Sequence, residues 1–319
     1  MPSPESASER RRWRSHPAWK GLAAIVTIAS SAWVIWLFSG AWSTLVDRRA
    51  QIGIVPLAAG MLLAMLSSYL IFEAFATLAR ARRVSSLPKR QLAHLYFTAQ
   101  LLKHLPGRVW GLGYQWAGAQ SNSRLVDWVL INLAHVLMST YFALWGAFVV
   151  LGLSAAQKWG ALTGAIGVVG YFGGWRVVSS ETFIRFAGKL PGAVGRFVRK
   201  VCTAFAEMPA SDRLRLFAFF CSGWMLYYFS WLLNGLSYPA LGALDGMQLC
   251  AYYMLAWFVG YISLLTPSGL GVRELAFAWL AKDFPADAVA LMAIVGRASL
   301  LAVDLVMGLI FAPFAPRRN

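Results

Sequence analysis

Long runs of apolar residues, separated by short clusters rich in Arg and Lys, set the pattern of this chain. A helix needs roughly 20 mostly apolar residues to cross a hydrocarbon core of about 30 Å. Leu22 to Trp42, Ile54 to Leu78, Val126 to Leu153, Gly160 to Val178, Leu216 to Tyr238, Gln248 to Leu265 and Ala288 to Phe311 meet or approach that length. The pattern therefore predicts an all-α, polytopic membrane bundle with about seven full spans. The glycine-rich run from Gly160 is short for a span, and its glycines permit close helix packing.

Two segments break the rule. From Leu92 to Leu105 the apolar stretch is only about 14 residues, on the order of 21 Å at the helical rise. It ends at Lys103, His104, Pro106, Gly107 and Arg108, and Gly111 and Gly113 follow among Trp110, Tyr114 and Trp116. This reads as a segment that dips in, breaks and returns, a form tolerated only where protein or a cavity surrounds it. The second break is Thr266, Pro267, Ser268, Gly269, Leu270, Gly271, followed by a short apolar stretch from Val272 to Leu280 and a further break at Lys282, Asp283 and Pro285. The two breaks resemble each other over a short length, which fits a two-fold internal repeat or two independent turns. Paired Pro/Gly-interrupted segments are a sequence pointer to a transporter's binding site.

Charge changes the picture in two ways. The formal charge of +16 sits largely in the connections, so it speaks of topology and not of nucleic acid. Arg80, Arg82, Arg83, Lys89 and Arg90 follow the second run, and Arg10, Arg11, Arg12 and Arg14 precede the first. The positive-inside rule then places both termini, including the tail with Arg317 and Arg318, in the cytoplasm of a bacterial inner membrane. Residues 1–20 read as a basic cytoplasmic tail with a retained anchor after it, 21–314 as a single transmembrane domain, and 315–319 as a short basic tail. Between Glu181 and Val201, Phe183, Phe186, Leu190, Val194, Phe197 and Val201 recur opposite Arg185, Lys189, Arg196, Arg199 and Lys200, the pattern of an interfacial basic helix interrupted by Pro191.

Candidate chemistry gathers at the breaks. Gly269 and Gly271 leave backbone amides bare ahead of a helix start and Arg273 adds a cation, a combination suited to phosphate. Glu274 complements the helix dipole in the first turn, or else carries a proton or grips a cationic group; the plain alternative is a capped helix with an internal Arg–Glu pair. At the first break Lys103, His104 and Arg108 offer positive charge to an anionic headgroup. Lys103 can equally snorkel to the interface, whereas the Arg108 guanidinium suits bidentate phosphate contact. Glu73, Asp127, His135, Arg297 and Asp304 lie within apolar runs, and Arg297 and Asp304, two turns apart, share one helical side. Glu73 is a candidate counter-charge for Arg273 or Arg297, while His135 reads best as a hydrogen-bonded residue between helices. Cys202, Cys221 and Cys250 lack metal-type spacing and read as packing residues. No P-loop, nucleophile elbow or zinc-binding helix motif occurs, so neither a metal nor a cofactor is expected and no catalytic residue is assigned.

The motifs Leu-Pro-Gly-Arg-Val-Trp-Gly at 105–111 and Thr-Pro-Ser-Gly-Leu-Gly-Val-Arg-Glu at 266–274 resemble the signatures of the lysylphosphatidylglycerol synthetase transmembrane-region family. The resemblance implies a flippase-like membrane domain that moves lipids between leaflets, here without the aminoacyl-transferase domain that some members carry. It also implies functional roles for Pro106, Gly107, Arg108, Pro267, Gly269, Gly271, Arg273 and Glu274, with Glu73, His104, Arg297 and Asp304 as supporting buried charges. The expectation is thus a flippase or transporter of an anionic phospholipid or glycolipid, including a polyprenyl-linked one. The alternatives are a membrane-embedded lipid-modifying transferase, using Glu274 or His104 as base, and a non-catalytic partner of a cytoplasmic glycosyltransferase.

Overall fold

The computed structural model describes residues 52–103, 110–119, 124–154, 160–178, 207–238, 244–262 and 272–316, with isolated positions between 180 and 205 and at 241–242. Among them every regular element is helical: α1 (Ile54–Ala81), α2 (Lys89–Leu102), α3 (Trp110–Gly118), α4 (Leu125–Ser154), α5 (Gly160–Val178), α6 (Ala210–Leu236), α7 (Asp245–Ile262), α8 (Val272–Leu280) and α9 (Ala286–Phe311). The expected run Leu22 to Trp42 and most of the basic stretch 181–201 lie outside the described residues.

Prolines set three of the helix starts. Pro88, Pro209 and Pro285 stand just before α2, α6 and α9 with extended ψ of 147°, 143° and 128°. A proline there sacrifices no helical N–H, because the first amides of a helix have no partner inside it. The end of α1 closes differently. The Val84 and Arg83 amides donate back to the Ala79 and Arg80 carbonyls, with Arg83 at φ 51°, the left-handed position that glycine usually fills.

Four helices are long and apolar enough to cross a membrane: Ile54–Ala81, Leu125–Leu153, Ala210–Leu236 and Ala288–Phe314. Their outer surfaces carry exposed Leu62, Leu66, Phe148, Phe229, Leu305 and Leu309, while Glu73, His135, Asn234 and Asp304 are buried. Greasy outside and polar inside is the arrangement of a membrane-embedded bundle, whose backbone bonds close within each helix. The fold is therefore the all-helical membrane bundle expected, with four of the anticipated spans reaching full length; α5 and α7 are shorter.

Contacts along the interfaces fix the direction of each element. α1 and α6 run antiparallel along their whole length: Gly53 N–H donates to the Ser237 carbonyl at one end, the Ser67 hydroxyl to the Gly223 carbonyl in the middle (2.7 Å), and Arg82 meets Glu207 at the other end. α4 runs parallel to α6, with Tyr228 Oη donating to the Ala143 carbonyl at 2.6 Å and Trp224 Nε1 to Ser139 Oγ at 3.2 Å. α5 returns along α4 through a glycine face, Gly164, Gly167 and Gly170 lying against Gly152, Val149 and Trp145. Small residues at such a crossing let backbones approach closely.

The remaining elements form two hairpins that enter from opposite ends of the bundle. α2 starts among the arginines that follow α1, and α3 runs back along it: Gly111 lies against Ala99 and Gly118 against Leu95. α4 then starts at this same basic face. α7 starts where α6 ends, Gly246 against Gly235, and descends so that Tyr253 meets Trp231. α8 returns with Phe277 on Tyr253 and Phe284 on Tyr252, and α9 leaves from that opposite face. α9 crosses to the basic face, passing Lys103, Leu101 and then His94 of α2.

Candidate functional site

The inward-facing charges of the described helices collect at three places, each tied to a hairpin. At the basic face Glu73 of α1 is buried and forms an ion pair with Lys89, the first residue of α2. The Lys89 ammonium also lies 5.7 Å from the centre of the Tyr69 ring. A carboxylate buried in a helix bundle needs such a partner, because an uncompensated charge there is costly. Glu73 is therefore paired with Lys89, where the sequence leaves Arg273 and Arg297 as candidate counter-charges. Lys89 lies only about eight residues beyond the end of α1, and the chain reversal carries it back onto the Glu73 side of the helix. One turn further in, His94 joins three elements. Its Nδ1 lies 3.1 Å from the Phe311 carbonyl of α9 and its Nε2 2.8 Å from Tyr114 Oη of α3. A carbonyl accepts, so Nδ1 carries the proton and, in the neutral ring, Nε2 accepts from the tyrosine.

The second place is the tip of the first hairpin. Lys103 Nζ donates to Asp304 Oδ2 of α9 at 2.9 Å and to Gln100 Oε1 at 2.9 Å. The Asp304 side chain is 3% exposed and the Lys103 side chain 40%, so the carboxylate is buried while the lysine is partly exposed. Lys103 stands about 14 residues into α2 from the basic face, roughly 20 Å at the helical rise. It reaches an interior partner instead of snorkelling outward, while Arg108, the cation preferred over it from the sequence, lies outside the described residues. Tyr96 and Phe97 of α2, Phe72 of α1 and Phe311 of α9 pack on one another between this pair and the basic face.

Third, Arg273 in the first turn of α8 is 8% exposed, its guanidinium 5.0 Å from the centre of the Tyr253 ring. A desolvated guanidinium over a tyrosine face is held there by the ring quadrupole. Tyr253 packs in turn on Trp231, which lies against Gly296, the neighbour of the half-buried Arg297. Glu274 follows Arg273 in the helix, and its side chain lies outside the described residues. So do His104, Pro106, Gly107 and Arg108 of the first break, and Pro267, Gly269 and Gly271 of the second.

Other polar residues found within apolar runs serve packing. His135 Nε2 is 3.2 Å from the Ile71 carbonyl, the interhelical bond expected of it. Asp127 lies in the first turn of α4 and accepts from the Arg124 amide, so it belongs to the helix start and not to the membrane interior. Cys250 is buried and Cys221 half-buried, both reduced. Sequence reasoning missed Gln115, which is 1% exposed and accepts from Asn132 Nδ2 at 2.7 Å, as well as the His94–Tyr114 pair. The signal was present: each is a polar residue inside an apolar stretch.

Comparison with family models, with curated proteins and with solved structures gives no match for this chain.

Proposed function

We propose that this protein is a transporter or flippase of the bacterial inner membrane, which passes an anionic lipid headgroup through the bundle between the tips of its two hairpins while the acyl chains stay in lipid. The observation that carries the reading is the pair of opposed hairpins with a cation at each tip, Lys103 at the first and Arg273 at the second. Element by element the halves correspond in length: α1, α2, α3 and α4 have 28, 14, 9 and 30 residues, and α6, α7, α8 and α9 have 27, 18, 9 and 26. Each element of the second half runs opposite to its counterpart. Equivalent aromatic contacts recur, Phe75–Tyr96 at 4.9 Å between α1 and α2 and Trp231–Tyr253 at 4.8 Å between α6 and α7.

We read this as an inverted-topology repeat, with α5 outside it. Repeats of that kind put a binding site at mid-depth on the repeat interface and let one unit rock against the other to open it to either side. With the basic face in the cytoplasm, the first hairpin enters from inside and the second from outside. The motif resemblance to the lysylphosphatidylglycerol synthetase transmembrane-region family favours the same reading, and a cytoplasmic lipid-pathway enzyme such as a glycosyltransferase would supply or consume the substrate.

The test is transport by the full chain in liposomes, followed by chemical quenching of fluorescent phosphatidylglycerol in the outer leaflet. Protein-containing vesicles are expected to exchange the lipid between leaflets faster than empty ones, and Arg273→Gln to slow exchange by roughly tenfold, the scale of one charge-assisted hydrogen bond. No exchange of phosphatidylglycerol or of a polyprenyl-phosphate lipid, with full cellular function retained by the Arg273 variant, overturns it.

A further inference from the structure

The Lys103–Asp304 pair has a composition that a static brace does not need. The carboxylate is almost fully buried within the bundle, yet its partner is a partly exposed lysine at the end of α2. An ammonium has three donors. Among the described residues two are engaged, by Asp304 Oδ2 and Gln100 Oε1. A phosphate-bearing anion arriving at Lys103 therefore meets Asp304 as a rival for the same charge, and two anions cannot share one lysine in a low-dielectric interior without a large penalty.

We propose, on the basis of the lipid-transport reading, that binding of a phosphate-bearing anion at Lys103 is coupled to uptake of a proton by Asp304, so that anion and proton enter the site together. The step balances simply. A proton from water on the open side adds to an Asp304 carboxylate oxygen, the Lys103 N–H···O contact to that carboxylate breaks, and the same ammonium hydrogen-bonds a phosphate oxygen. The neutral acid left behind stays buried without an unpaired charge. The site carries the same net charge before and after, which removes the electrostatic barrier to taking a monoanion into the bilayer.

Other groups around α9 do not fill this role. α2 presents Lys103, Tyr96, which is within electrostatic reach of Asp304, and His94, whose two ring nitrogens are engaged by Tyr114 Oη and by the Phe311 carbonyl, two turns further along α9; His135 of α4 touches Tyr96. α1 presents Tyr69 and Glu73, the carboxylate held by Lys89 at the basic face. α6 between Leu216 and Leu236 contributes tyrosines and Cys221 but no charged side chain, α7 contributes Tyr252, Tyr253 and Cys250, α8 contributes Arg273, and α9 itself carries Arg297 two turns before Asp304. Among the described residues, Lys103 forms an ion pair with the Asp304 carboxylate.

The experiment is calorimetric titration of the full-length protein in nanodiscs of zwitterionic lipid, in two buffers of different ionisation enthalpy, using short-chain phosphatidylglycerol in one arm and inorganic phosphate in the other. Wild-type protein should take up about one proton per phosphatidylglycerol bound at neutral pH, with affinity falling about tenfold per pH unit as pH rises. Asp304→Asn should bind the lipid with no proton uptake and a flat pH profile, and Lys103→Gln should bind weakly at every pH. Proton uptake with inorganic phosphate alone supports the coupling and overturns lipid as its source. Lipid binding by wild-type protein with no proton uptake overturns the coupling while leaving lipid transport standing, and this count does not depend on any variant folding. Binding of neither probe by wild-type protein overturns the lipid reading together with the coupling.

Discussion

Single residues show how this chain places charge inside a bilayer. The Glu73–Lys89 pair is lopsided, with the carboxylate buried and the ammonium partly in water. Removing either partner is therefore not equivalent. Lys89→Met leaves a buried carboxylate without its cation and should cost about 2 kcal/mol, discounted from the value for a fully buried pair because one side is wet. Glu73→Gln leaves a lysine free to turn to solvent and should cost about 1 kcal/mol or less. Thermal unfolding in detergent should show the larger loss for Lys89→Met and partial recovery in the double variant; equal losses would show that the pair is not what holds α2 to α1. The pairing itself was not legible in the sequence. Periodicity assigns Glu73 to a helix face, but which cation meets it depends on the reversal between α1 and α2. Lys103 was misjudged for a related reason: a lysine near a break looks like one that snorkels, and only the third dimension brings Asp304 to it from about 200 residues away.

At the scale of elements, hydropathy was a good guide because each helix needs an apolar run of fixed length. The boundaries of α4, α5 and α8 follow the apolar runs closely, and the return of the chain after the first break was legible in the short run and its glycines. The helix at Trp110–Gly118 was the less legible part, since glycine-rich, aromatic sequence has weak helical preference and is held by its neighbours. That dependence makes a sharp prediction. A Cβ on Gly111 would lie 2.8 Å from the Ala99 carbonyl oxygen and 3.2 Å from the Ala99 Cβ, whereas one on Gly113 meets nothing within 4 Å. Gly111→Ala should push α3 off α2 and lower both transport and the unfolding midpoint, by roughly 1–3 kcal/mol on the scale of overpacking. Gly113→Ala should behave as wild type or slightly better, through gained helix propensity. Matching behaviour of the two variants in a transport assay would contradict the close α2–α3 contact.

For the whole molecule, the distribution of charge, the long α1–α6 contact and the two hairpins fix which end of the bundle each hairpin enters from, with Lys103 carried by the first and Arg273 by the second. Charge bias could orient the ends of the spans and the short run at Pro106 pointed to a return, but which helices the returning segment packs against depends on contacts between residues far apart in the chain. The direct measurement is labelling of single cysteines, introduced after replacing Cys202, Cys221 and Cys250, with a membrane-impermeant reagent applied to intact cells and to inverted vesicles. Ser86→Cys and Arg124→Cys flank the first hairpin, and Leu244→Cys and Lys282→Cys flank the second, all at exposed positions. The account predicts that residues 86 and 124 react only from the cytoplasmic side and residues 244 and 282 only from the opposite side. Labelling of 86 and 124 from opposite sides, or of 244 and 282 from opposite sides, would contradict it.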